Sequence, residues 1–121
     1  MEEQKISTGL QPNLAGLLCY ILGWVTGLIF FILEKENKFV RFHAVQSIIV
    51  FGGLTVLTIL ISILQAIFMF IFSPLSVLLG ILSTILWLAG LFLWVLLMSK
   101  AYQNVEYKLP YLGDYVEKYR G

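Results

Sequence analysis

AVQSIIVFGGLTVLTILISILQAIFMFIFSPLSVLLGILSTILWLAGLFLWVLLMS, residues 44–99, contains no Asp, Glu, Lys, Arg or His. As one helix rising about 1.5 Å per residue it would be roughly 84 Å long, against a hydrocarbon layer of about 30 Å. The stretch therefore has to fold back on itself, and Ser73-Pro74 near its middle supplies the break. The apolar runs are continuous, without the alternation of a β-barrel strand, so both arms are read as helices. A second charge-free stretch, residues 6–33, is long enough to cross as well.

Composition agrees. Hydrophobic residues make up 60% of the 121-residue chain and charged residues 12%, and the mean hydropathy is +0.91. These values lie outside the soluble range. They leave room for one small membrane domain and for no separate soluble domain. The net charge of +1 comes from basic residues beside the apolar segments, not from a continuous basic face, which argues against nucleic acid as a partner. Cys19 is the only cysteine, so no disulfide can form within the chain. The start, Met1-Glu2-Glu3-Gln4-Lys5, lacks the basic region of a cleavable signal peptide.

The expected fold is an all-α polytopic bundle: three transmembrane helices and a C-terminal interfacial amphipathic segment, forming one domain over residues 1–121. The first helix is placed at about residues 13–33, with Pro12 suited to its first turn. Gly16, Gly23 and Gly27 fall near one face and include a G-x-x-x-G, the pattern by which membrane helices approach closely. Residues 34–47 form a cytoplasmic loop and an interfacial helical lead-in. There Phe39, Phe42 and Val45 are expected to face lipid, with His43, Gln46 and Ser47 on the opposite side. The second helix spans about 48–72 and the third about 75–98.

Three crossings put the first loop and the tail, residues 100–121, on one side. That side then carries Lys35, Lys38, Arg41, Lys100, Lys108, Lys118 and Arg120, and only Lys5 lies opposite. The positive-inside rule predicts a cell inner (cytoplasmic) membrane protein with cytoplasmic loop and C-terminus and the N-terminus outside. In the tail, Tyr111, Tyr115 and Tyr119 recur every fourth position, with Leu112 and Val116 alongside, as in an interfacial helix.

Catalysis requires converging polar groups, and none is evident. The crossings contain only Ser, Thr and Gln as polar side chains, and Ser and Thr in membrane helices commonly bond back to their own backbone. A single His and a single Cys exclude a Cys/His metal cluster. No catalytic residue, cofactor or metal is expected. The concentrated constellation is Glu34, Glu36, Asn37, Arg41, His43 and Gln46, which packs polar groups between two crossings at headgroup depth. Within it Glu36, Asn37, Arg41, His43 and Gln46, together with Tyr111 and Tyr115 of the tail, are candidate contacts for a partner or for lipid.

The segments Leu18-Cys19-Tyr20-Ile21-Leu22-Gly23-Trp24, Glu34-Lys35-Glu36-Asn37-Lys38-Phe39-Val40-Arg41-Phe42-His43-Ala44-Val45-Gln46-Ser47, Ala101-Tyr102-Gln103 and Tyr107-Lys108-Leu109-Pro110-Tyr111-Leu112-Gly113-Asp114 occur in that order. The chain resembles, over nearly its whole length, a family of small prokaryotic integral-membrane proteins of unknown function. That family is distantly related to the twenty-kilodalton Tic component of chloroplast protein import. The resemblance implies a small helical membrane bundle. Where it leads to Gly after Ala101-Tyr102-Gln103, this chain has Asn104, a residue that also takes the left-handed conformation ending a helix.

The functional expectation is a non-enzymatic accessory or scaffold subunit acting by helix association, linked to protein translocation only through that remote resemblance. Its partners would be the bilayer and a membrane protein, or a second copy of itself. The alternative is a homo-oligomeric channel lined by Thr55, Thr58, Ser62 and Gln65, which recur on one face of the second helix.

Overall fold

The computed structural model describes residues 11–107 and 113–119. Its elements are α1 (Pro12–Ile21), α2 (Trp24–Leu33), α3 (Lys38–Ser47), a π-helical turn (Ile48–Gly52), α4 (Gly53–Ile71), α5 (Ser73–Tyr102) and α6 (Gly113–Tyr119). The described residues contain no strand. α3, the π turn and α4 run on as one helix of 34 residues; this helix and the 30-residue α5 are each long and apolar enough to cross a membrane.

The expected first crossing, 13–33, is two helices and not one. The chain leaves α1 at Leu22, and Gly23 takes φ 65°, ψ −136°, a region open in practice only to glycine. Each half has ten residues and extends about 15 Å, half a hydrocarbon layer. α1 runs alongside α3 in the same direction: a methyl group on Gly16 would meet Phe39 at 3.0 Å, and Tyr20 reaches His43. α2 runs back along α3, with Gly27 against Ser47 and Ala44, and Phe31 under Arg41. The hairpin therefore enters and leaves at one end. Asn13 Nδ2 donates to Tyr102 O at 3.1 Å, which ties the start of α1 to the end of α5. The start of α1 thus lies at the same end as the 34–37 turn, not across from it.

A helix broken in a water-poor setting leaves backbone groups without partners. Here other elements supply them. Thr26 Oγ donates to Cys19 O at 3.1 Å and accepts from Leu22 N–H at 3.2 Å. Trp94 Nε1 of α5 donates to Tyr20 O at 2.7 Å, and Ser47 Oγ of α3 donates to Gly23 O at 2.7 Å.

α4 and α5 form a tight hairpin. Phe72 alone separates them in an extended conformation, and Pro74 sits in the first turn of α5. Ser76 Oγ donates to Gln65 O across the pair at 3.1 Å. Away from the α1–α2 hairpin the two helices bury almost nothing: Phe70 is 88% exposed and Trp87 72%. Surfaces this apolar and this open belong against lipid.

α5 continues past the expected boundary at 98, through Lys100 to Tyr102, and ends where Asn104 adopts φ 63°. Val105 N–H then bonds Lys100 O at 2.9 Å and Asn104 N–H bonds Ala101 O at 3.0 Å, the closing pattern of a left-handed cap. The tail turns back, and Val116 of α6 is fully buried against Phe42 and Val45 of α3. Phe42 and Val45 therefore do not face lipid, because α6 covers them.

Two substitutions check the broken hairpin by thermal unfolding in detergent. Gly23→Ala forces a Cβ into the positive-φ turn and is expected to lower stability by about 1–3 kcal/mol. Trp94→Phe keeps the bulk, leaves the Tyr20 carbonyl one donor short, and should cost about 1–3 kcal/mol.

Candidate functional site

The sequence constellation separates into two sites. The first is a buried polar chain between α1 and α3. Tyr20, His43 and Gln46 are all fully buried. His43 Nδ1 lies 2.7 Å from Tyr20 Oη, and His43 Nε2 lies 3.1 Å from Val105 O. A carbonyl only accepts, so Nε2 carries the proton and Nδ1 accepts from the tyrosine hydroxyl. Gln46 Nε2 donates to Tyr20 Oη at 3.1 Å and to Tyr107 O at 3.0 Å. The Tyr107 bond fixes which end of the amide is nitrogen, and it leaves Gln46 Oε1 buried without a partner.

Phe39 and Phe42 stack edge-on against the His43 ring at centroid distances of 4.7 and 5.1 Å. This chain of bonds holds residues 105–107, the start of the tail, on the bundle. His43 and Gln46 are thus clamps for the tail and not surface contacts.

The second site is the turn between α2 and α3. Glu34 Oε2 accepts from the N–H groups of Glu36 (3.1 Å) and Asn37 (2.9 Å), and Asn37 Oδ1 caps α3 by accepting from Val40 N–H at 3.1 Å. Arg41 Nη1 donates to Phe31 O at 3.3 Å and Glu34 O at 2.9 Å, the carbonyls at the C-terminal end of α2. Its guanidinium lies 4.3 Å over the Phe31 ring. A cation suits the negative end of the helix dipole. A hollow of about 440 Å³ opens here, lined by Phe31, Ile32, Lys35, Glu36, Lys38 and Arg41.

A third feature lies on α4 and α5, beyond the tip of the α1–α2 hairpin. A cavity of about 420 Å³ at the tip, bounded by Gly23, Trp24, Thr55, Gly90 and Trp94, shares Thr58 and Trp87 with a groove of about 570 Å³. The groove holds Ser62, Gln65 and Ser83. Thr55, Thr58 and Thr84 donate to their own helix carbonyls, whereas the Ser62, Gln65 and Ser83 side chains have no partner among the described residues. Gly80 leaves the space the Gln65 amide occupies, since a methyl group there would meet Gln65 Nε2 at 2.9 Å.

Of the other predicted residues, Gly16 and Gly27 let α1 and α2 approach α3, and Gly23 is the turn itself. Tyr115 is exposed on α6, and Tyr111 lies outside the described residues. The sequence reading missed Tyr20. Its signal was available: it is the one tyrosine before residue 102, inside an apolar helix, in a chain with polar His43 and Gln46 to satisfy. Among the described residues no group of three His, Cys, Asp or Glu is placed to hold a metal ion. The Cys19 thiol is turned to the Val40 carbonyl at 3.8 Å.

Tyr20→Phe keeps the ring and removes the link between Gln46 and His43, leaving His43 Nδ1 without a donor and Gln46 Nε2 one acceptor short. It should destabilise the fold by about 1–3 kcal/mol in detergent melts, and a Gln46→Leu/Tyr20→Phe double variant should fall short of the additive loss.

Comparison with known proteins agrees with a membrane protein. The chain matches the magnetosome magnetite crystal formation protein family over residues 2–116. A UPF0132 membrane protein of Methanocaldococcus jannaschii is 48% identical over 115 residues, covering 95% of this chain and 94% of the relative. A second from the same organism is 40% identical over 114 residues, covering 94% and 74%. One from Archaeoglobus fulgidus is 38% identical over 112 residues, covering 93% and 98%. No solved structure matches. Since the match runs through the α1–α2 hairpin, the polar turn and both long helices and into the first half of α6, the chain belongs to the magnetosome magnetite crystal formation protein family, alongside UPF0132 membrane proteins of archaea.

Proposed function

We propose that the protein is a non-enzymatic scaffold of a cytoplasmic membrane that works by helix association, through the polar groove on α4 and α5. The observation that carries this is the set of Ser62, Gln65 and Ser83, facing a groove with no partner of their own among the described residues. A primary amide against hydrocarbon costs free energy unless something bonds it, and interhelical hydrogen bonds are the ordinary remedy. The fitting occupant is a transmembrane helix with small residues and a hydrogen-bonding side chain, from a partner or a second copy. The buried polar groups elsewhere, Tyr20, His43 and Gln46, hold the chain's own tail, which supports a structural role for them and not a catalytic one.

The reading includes a topology of two crossings and one re-entrant hairpin, which revises three crossings with the N-terminus outside. Every Lys and Arg among the described residues, Lys35, Lys38, Arg41, Lys100 and Lys118, belongs to the end where α1 begins and α5 finishes. The hairpin tip around Phe72 has no charge. By the positive-inside rule that basic end is cytoplasmic, with the start of α1 included.

The family's description names magnetosome magnetite crystal formation, and no part of that process is carried over to this chain. Membrane residence is supported by the UPF0132 membrane proteins that the chain resembles, and helix association rests on the groove alone. The remote likeness to the Tic component is the sole support for a place in protein translocation. A homo-oligomeric channel is the second reading; it draws on the same groove, with Ser62, Gln65 and Ser83 as lining because Thr55 and Thr58 bond their own backbone.

A photoreactive residue at Ser62 in intact cells should give one dominant protein adduct, and Gln65→Leu should reduce its yield about tenfold at unchanged helix content. Adducts to lipid alone would remove the basis for the scaffold. Liposomes carrying the purified chain should stay tight to small ions; leakage would favour the channel. For topology, Gln11→Cys and Glu36→Cys should resist an external membrane-impermeant maleimide while Ser73→Cys reacts. Labelling of Gln11→Cys from outside would restore three crossings.

A further inference from the structure

We propose that the basic hollow between the end of α2 and the start of α3 binds the phosphate of an anionic phospholipid headgroup. The hollow is lined by three cationic side chains, Lys35, Lys38 and Arg41, against one carboxylate, Glu36. Lys35 and Lys38 are exposed, and neither ammonium has a partner among the described residues. The nearby Glu34 carboxylate is buried, and its Oε2 is turned to the N–H groups of Glu36 and Asn37. Arg41 is held in place by Phe31 and by the carbonyls of α2, so the hollow has a pre-formed cationic floor.

The other two lining residues supply the second half of an amphiphile site. Ile32 is 59% exposed, and Phe31 presents the ring on which Arg41 stacks. Cations above an apolar wall match the order of groups in a phospholipid, phosphate first and acyl chain below. A free phosphate would use the same cations but has no use for the apolar wall. The site would fix the depth of the re-entrant hairpin, whose two short helices cannot anchor on both faces of the bilayer.

This inference rests on the reading that the basic end meets a leaflet surface. The test reconstitutes the full chain into mixed phosphatidylcholine–phosphatidylglycerol bilayers and measures, with spin-labelled lipids, the preference of the protein-contacting shell for phosphatidylglycerol. The wild-type chain is expected to prefer phosphatidylglycerol, and to lose about fivefold of that preference for each of Lys35→Gln and Lys38→Gln. Lys100→Gln, also at the basic end but outside the hollow, should retain it. Both lysines are exposed, so their replacement should leave the circular dichroism unchanged.

Equal preference for the two lipids in the wild-type chain overturns the proposal, as does a preference that survives the Lys35→Gln/Lys38→Gln double variant. Inorganic phosphate is added against chloride at matched ionic strength. If it alone abolishes the preference, the site takes free phosphate and the lipid assignment is wrong. Failure of the underlying topology is read separately, by external labelling of Glu36→Cys, which does not depend on lipid preference.

Discussion

A helix that stops inside a bilayer must find donors for the carbonyls it leaves open, because no water is there to supply them. At Leu22-Gly23 the donors come from three elements. Thr26 of α2 bonds Cys19 O, Ser47 of α3 bonds Gly23 O, and Trp94 of α5 bonds Tyr20 O. The half-length hairpin depends on these bonds, since each unsatisfied group would cost several kcal/mol in hydrocarbon. Ser47 and Trp94 therefore do two jobs. They satisfy the turn, and they lock α3 and α5 to its tip, which sets how far the hairpin reaches along those helices.

That reach decides the rest of the surface. Below the tip, α1 and α2 cover the faces of α3 and α5, and this is where Ala15, Cys19, Tyr20, Val40, Leu97 and Ala101 form the core. Above it, α4 and α5 stand as a bare pair, and their shared face becomes the groove with Ser62, Gln65 and Ser83. Bulky apolar residues suffice where lipid is the neighbour. The three polar side chains in the groove are what the proposed helix docking rests on.

The basic end works by a different balance. Tyr20, His43 and Gln46 form a chain in which every donor has an acceptor, ending on the Val105 and Tyr107 carbonyls, so these bonds hold the tail by its backbone. Glu34 and Arg41 are likewise committed to backbone groups of the α2–α3 turn. With these satisfied internally, the field outside is set by Lys35 and Lys38. Polar residues that look alike in the sequence thus divide into those that build the turn and those that face out from it.

The helical class, the Ser73-Pro74 reversal, the uncharged hairpin of α4 and α5 and the concentration of cations at one end were legible in the sequence. Each follows from local physics: charges do not enter hydrocarbon, proline ends helices, and 56 charge-free residues exceed one span. The left-handed ending at Asn104 was expected through the family resemblance, which leads to Gly there, and Asn takes the same conformation. The broken first helix was not. Gly23 reads equally as a packing residue or as a turn, and only the donors from Thr26, Ser47 and Trp94, distant in sequence, make the turn affordable at that depth. The roles of His43 and Gln46 were hidden likewise, because their acceptors lie 62 and 61 residues away. Sequence by itself determined which residues leave water; tertiary structure decided which of them meet, because hydrogen-bond partners in a bilayer are found by proximity in space and not along the chain.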